Sequence, residues 1–139
     1  MTAQTDSKKI LFTTDIEVRW GDLDFYNHVN NVHYFRYLEE ARMRWMTHHR
    51  LAEIGMAALP VMLKADITFL KSVRYPATLR VITYLDESGF SSLSLSQKIF
   101  DAATLEVCYA EGYSKLVWLD QATGKSTALP PYVLNALEQ

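Results

Sequence analysis

Between Arg19 and Trp45 the chain passes from an extended segment through a polar loop into its one long amphipathic helix, and every other element has to be arranged around that helix. Val32, Phe35, Leu38, Ala41, Trp45 and Met46 recur at steps of three or four, while Arg36, Glu39, Glu40, Arg42 and Arg44 fill most of the positions between them. That spacing puts an apolar stripe on one face. Removing Val32, Phe35, Leu38 and Trp45 from water would contribute at most about 1.5–3 kcal/mol each, enough to make the helix central. Asn30 or Asn31 is the expected N-cap, since an Asn carbonyl can accept from the first free amides. Asp22, Asp24, Asn27, His28, Asn30 and Asn31 crowd the positions just before this end, where unpaired N–H groups and the positive pole of the helix favour negative charge.

The 139 residues, 49% of them hydrophobic, suit one domain with a substantial core. A net charge of -2 gives no basic surface for nucleic acid or anionic membrane, so any anionic ligand must be held locally. Cys108 is the single cysteine, which excludes an intrachain disulfide and favours a reducing compartment. The polar first nine residues lack the apolar run of a signal peptide, and no later stretch approaches a membrane span. A cytoplasmic location is expected, with a disordered lead-in over 1–9 and one domain over 10–139.

The rest of the chain reads mainly as sheet. Ile10 to Trp20 is a strand by partial alternation. After the helix, Thr47 to Arg50 places His48, His49 and Arg50 against its negative end, and a short helical turn is expected over Leu51 to Ala58, broken at Gly55. Strands are expected over Val61–Leu70, Ala77–Leu85, Phe90–Phe100 and Leu105–Leu119, separated by Tyr75-Pro76, Asp86 to Gly89, and Asp101 to Thr104. Leu93, Leu95, Gln97 and Ile99 share one parity. Gly112 suggests a bend or bulge. Pro130 and Pro131 introduce a short C-terminal helix through Leu137. One strand, one long helix and four turn-linked strands make an α+β chain, most economically a five-stranded antiparallel sheet whose apolar face wraps the helix. The remaining sheet face and edges call for a homodimer or homotetramer.

Three blocks carry a family resemblance: Val18-Arg19-Trp20-Gly21-Asp22-Leu23-Asp24, His28-Val29-Asn30-Asn31-Val32-His33-Tyr34, and Tyr37-Leu38-Glu39 with Ala41-Arg42. They resemble the hotdog-fold thioesterases of the 4-hydroxybenzoyl-CoA thioesterase-like group, with weaker similarity at Thr68-Phe69, Tyr75-Pro76, Val117 to Asp120, and Thr123 to Lys125. The resemblance implies a hotdog dimer, often paired again, that hydrolyses acyl-CoA thioesters at the subunit interface. It assigns the catalytic carboxylate to Asp24 and the carbonyl-polarising backbone amide to Asn31. His-Val-Asn-Asn is also similar to plant acyl-carrier-protein thioesterases, whose Asn two residues before the His is Tyr26 in this chain.

Thioester hydrolysis needs a nucleophile or activated water, and donors for the charge that grows on the carbonyl oxygen. Asp24 can attack directly or act as general base. An N–H at a helix start supplies an oriented donor. His28 can bond water or the thioester oxygen, or simply hold the loop. Lys71 and Arg74 can contact CoA phosphates or be ordinary surface charge. Tyr34 and Tyr37 can line an acyl pocket or pack in the core. No zinc spacing links Asp22, Asp24, His28 and His33, no Gly-x-Ser-x-Gly elbow surrounds Ser91 to Ser96, and the glycines form no nucleotide loop, so neither metal nor cofactor is expected. Two competing readings are a module that binds acyl-CoA or an acyl carrier protein without cleaving it, and a hotdog hydratase. Hydratases of that group space their Asp and His by four residues, whereas three separate Asp24 from His28.

Overall fold

A computed structural model describes residues 8–139. Residues 1–7 of the expected lead-in lie outside the described residues; Lys8 pairs with Asp86, and Lys9 Nζ donates to the Leu137 carbonyl (2.6 Å). The elements are β1 (Ile10–Glu17), a 3-10 turn (Trp20–Asp22), α1 (Asn31–His48), β2 (Ala58–Phe69), β3 (Thr78–Ser88), β4 (Ser92–Asp101), β5 (Cys108–Asp120) and α2 (Pro131–Leu137). The five strands form one sheet in the order β1-β3-β4-β5-β2, antiparallel throughout. This is the sheet-around-helix architecture that the resemblance implies. Because β1 and β2 are opposite edges, the chain leaves one edge, crosses the sheet as α1 and returns at the other.

Two apolar clusters divide the core along α1. Its first half packs with Val29, Val73, Val81 and Ile99, and its second, through Trp45 and Met46, with Leu93, Trp118 and α2. Leu38, Ala41, Trp45 and Met46 of the expected stripe are buried, but in the first two turns the buried positions differ: Val32 and Phe35 are 61% and 42% exposed, and Tyr34 and Tyr37 are buried in their stead. The cause is polar. The Tyr34 hydroxyl donates to the Lys71 carbonyl and accepts from the Val73 amide (both 3.1 Å), and the Tyr37 hydroxyl donates to Asp22 Oδ2 (2.7 Å). A buried phenol with its hydroxyl satisfied adds ring area to the core without an orphaned polar atom.

Gly112 is not a bulge. It stands in unbroken register opposite Gln97 of β4 and Ile67 of β2, and a Cβ there would meet Leu38 Cδ1 at 2.4 Å. The missing side chain is what lets α1 lie this close to the sheet. Beside it, buried Gln97 Nε2 donates to the Leu38 carbonyl (3.1 Å) and Thr83 Oγ1 (3.0 Å). Leu93, Leu95, Gln97 and Ile99 are all buried, as their shared parity requires. Elsewhere the boundaries move. No helix forms over Leu51–Ala58, where Gly55 adopts φ 97°. The first strand ends at Glu17, β2 starts three residues earlier than expected, and β5 starts three later because Leu105 is still in the left-handed turn conformation.

Gly112→Ala should therefore cost about 1–3 kcal/mol by overpacking, and less in a Leu38→Ala background. Denaturant titration of the two single variants and the double variant measures the coupling, and additive losses would contradict the close approach.

Candidate active site

The loop before α1 is a small hairpin. Its root is closed by the Asn30 amide donating to the Asp22 carbonyl (2.9 Å), its middle by a bridge between Leu23 and Val29, and its end by the Asp24 amide donating to the His28 carbonyl (2.8 Å). A turn over Asp24–Asn27 reverses the chain, with the Asn27 amide donating to the Asp24 carbonyl (3.3 Å). Asn27 sits at φ 60°, a conformation that Asn tolerates better than most residues. Asp24 Oδ1 accepts from the amides of Tyr26 (2.8 Å) and His28 (3.3 Å). The carboxylate is thereby fixed by its own turn with Oδ2 left over.

The start of α1 is the second piece. Asn30 is the cap: its Oδ1 accepts from the Val32 amide (3.0 Å), and its carbonyl accepts from the His33 amide (2.9 Å). The Asn31 N–H has no acceptor among the described residues. The third piece is the exit of edge strand β2. Leu70 and Lys71 both donate their amides to the Tyr109 carbonyl, the Val29 amide donates to the Val73 carbonyl (2.8 Å), and Phe69 meets the Tyr34 ring edge-on (centroids 5.0 Å).

These pieces enclose an open depression of about 380 Å³ lined by Asp24, His28, Val29, Asn31, Tyr34 and Phe69 to Ser72. Of the residues singled out from sequence, Asp24, His28, Asn31, Tyr34 and Lys71 come together there. Tyr37 and Arg74 do not line it. Tyr37 is directed to Asp22 and borders a separate charged groove with Arg19 and Arg36, and Arg74 is exposed beyond the lining segment. Tyr34 contributes ring surface only, since its hydroxyl is committed to the backbone of 71–73. Sequence reasoning missed Phe69, Leu70 and Ser72 as wall residues, and the signal was two consecutive apolar residues at a strand exit followed by Lys71-Ser72. Among the described residues, no three His, Cys, Asp or Glu side chains cluster as a metal site. Among the same residues, no helix is long and apolar enough to cross a membrane.

Below the hairpin lies Asp22, which is 2% exposed. Burial pushes its carboxyl pKa up, but the Tyr37 hydroxyl, the Arg19 amide and the Arg19 charge, with the neighbouring His33 ring, outweigh burial and hold it below the usual value. Burial and the Asp22 bond raise the Tyr37 phenol, and burial raises that of Tyr34 against the pull of the Val73 amide.

A family model described as the Thioesterase-like superfamily matches residues 18–137. The long-chain acyl-CoA thioesterase FadM of Escherichia coli (strain K12) is 32% identical over 138 residues, covering 91% of this chain and 96% of FadM. Among solved structures, the PA2801 protein of Pseudomonas aeruginosa superposes with a TM-score of 0.87 at 42% identity, covering 93% of this chain and 99% of that one. Slr0204, a 1,4-dihydroxy-2-naphthoyl-CoA thioesterase from Synechocystis, has a TM-score of 0.84 at 17% identity, with 92% and 96% covered, and shares the fold.

With its folded pKa depressed, Asp22 gives the unfolded chain the greater proton uptake from that value up to about 3.9. Its contribution to stability is whole at neutral pH and is lost as pH falls through the folded value. Asp15, whose hydrogen bond from Arg80 also lowers it, acts with the same sign. Urea midpoints should fall between pH 6 and pH 3, and fall less in Asp22→Asn; equal falls would refute the assignment to Asp22.

Proposed function

The chain belongs to the thioesterase-like superfamily of thioester hydrolases, and from that premise we propose that it hydrolyses acyl-CoA, with Asp24 as nucleophile or general base and the Asn31 N–H as the donor to the carbonyl oxygen. The observation that carries the reading is that a turn-locked carboxylate and an uncommitted helix-terminal amide line one depression. In the nucleophilic route an Asp24 oxygen bonds to the thioester carbon. The C–S bond breaks, the CoA thiolate takes a proton from solvent, and water then cleaves the mixed anhydride. In the general-base route Asp24 removes a proton from the attacking water, and that proton passes to the departing thiolate. Either way, negative charge accumulates on the former carbonyl oxygen, where one preset donor is typically worth about 2.7–4 kcal/mol.

His28 borders the same space and can orient water or the ester. Lys71, in the wall, offers a cation to CoA phosphate. Phe69 and Leu70 give apolar surface to the acyl group, so the reading concerns an acyl-CoA first and an acyl carrier protein second. The setting is a reducing cytoplasm, consistent with the single Cys108.

Asp24→Asn keeps an Oδ1 acceptor for the Tyr26 and His28 amides, so the hairpin should survive while thiol release falls by about 10²–10⁴-fold, the usual worth of a positioned base. The assay is thiol release over short, medium, long and aromatic acyl-CoAs. Hydrolysis by the variant at wild-type rates would remove Asp24 from the chemistry.

Assembly belongs to the same reading. Among the described residues strand β2 is an edge with no strand beyond it, and its Val61 and Leu63 are 43% and 63% exposed. Pairing of this edge with a second copy would extend the sheet beside the depression's own wall at Phe69 to Ser72. Sedimentation should give a dimer or tetramer for the wild type and a smaller species for Val61→Lys/Leu63→Lys. An unchanged assembly would move the interface elsewhere.

A further inference from the structure

Asp22 is the one carboxylate that is buried among the described residues, and the proposed chemistry does not use it. A buried acid is unfavourable unless its oxygens are satisfied, and here every partner belongs to the frame of the site. Oδ2 accepts from the Tyr37 hydroxyl (2.7 Å), in the second turn of α1, and from the Arg19 amide (3.1 Å). Oδ1 faces the Arg19 guanidinium (3.4 Å) and Nδ1 of His33 (3.5 Å), in the first turn. That nitrogen is buried and makes no hydrogen bond among the described residues. Arg19 is mostly exposed, so solvent screens its share. Meanwhile the Asp22 carbonyl accepts from the amide of Asn30, the cap itself (2.9 Å).

One residue thus holds the second turn of α1 through the Tyr37 hydroxyl, lies against the first turn at His33, and holds the helix cap with its backbone, while its chain neighbours carry the hairpin to Asp24. We infer that Asp22 is a positioning residue, tying the hairpin root to α1 so that the Asp24 carboxylate and the Asn31 amide are held in one fixed relation across the depression. The inference rests on the reading that those two groups act on a thioester. Its physical weight comes from tolerance: a displacement of about 1 Å in a reacting group can cost on the order of 10²-fold in rate. A tie that is two residues from Asp24, and whose backbone partner Asn30 is one residue from Asn31, sits where such a displacement would start.

Asp22→Asn preserves volume and can still accept from Tyr37, but it loses the charge and turns an amide donor towards Arg19 or His33. Tyr37→Phe removes the shortest contact and leaves the acid in place, which keeps the test informative should Asp22→Asn fold poorly. Acyl-CoA turnover, thermal unfolding, and the NMR resonances of the Asn31 amide and the Asp24 carboxyl carbon are measured for both variants and their double. Positioning predicts that kcat falls about 10–100-fold, within the range for misplaced groups, while KM stays within a few-fold. It also predicts that Asn31 and Asp24 resonances shift while that of the remote Trp118 indole does not, and that the two substitutions are non-additive. Wild-type kcat in both variants would overturn it. So would losses of turnover that only follow loss of folded protein, with site resonances unmoved in the folded fraction. Wild-type turnover by Asp24→Asn, or no thiol release by the native chain, would instead refute the thioesterase reading. The resonances then decide the tie alone: shifted signals uphold it and unmoved ones overturn it.

Discussion

The close approach of Leu38 of α1 to Gly112 of β5, where a Cβ would not fit, sets where the helix can lie on the sheet. A helix that crosses a sheet from edge to edge can slide along its axis or roll about it, and most apolar contacts tolerate a little of both. The absent Cβ at Gly112 receives one methyl of Leu38, and Gln97 next to it donates to the Leu38 carbonyl. An apolar knob and a polar bond at the same point leave the helix a single axial position. With that position set, the start of α1 falls beside the exit of β2, where edge strand, helix and hairpin meet.

The three walls of the depression are held by different forces. The hairpin is fixed by local backbone bonds and by the Asp24 carboxylate closing its own turn. The helix start is fixed by its Asn30 cap, and the 69–73 segment by tertiary bonds to Tyr34, Tyr109 and Val29. Tyr34 links two of these walls through one hydroxyl that both donates and accepts. Such a phenol cannot be replaced by the Phe or Val that hydropathy alone would prefer on this face.

That preference is why the helix and the buried face of its later turns were legible in the sequence and the buried positions of its first two turns were not. Spacing revealed α1, and Asn30 announced its own cap because capping is local chemistry. Val32 and Phe35 outrank Tyr34 and Tyr37 in apolarity, however, and the partners that reverse the ranking lie far along the chain, at Lys71 and Val73, or in a buried acid whose burial no local pattern signals. Gly112 was visible as unusual, but bulge and close approach look alike until the helix above it is known. Asp24, His28 and Asn31 were legible as neighbours because one short loop carries them. Neither Arg74 nor Tyr37 lines the depression: Arg74 is exposed just past its wall segment, and the Tyr37 hydroxyl is bonded to Asp22.

The hairpin ahead of α1 also has a metric property. Its two arms alternate inward and outward from a root closed by Asp22 and Asn30, so the side that Asp24 faces is decided by how many residues lie between root and tip. Inserting or deleting one residue there would present Leu23 or Phe25 in place of a carboxylate, whatever the substitution elsewhere. Replacing Phe25 or Tyr26, whose side chains stand in solvent, leaves this count as it is, whereas a change of length does not.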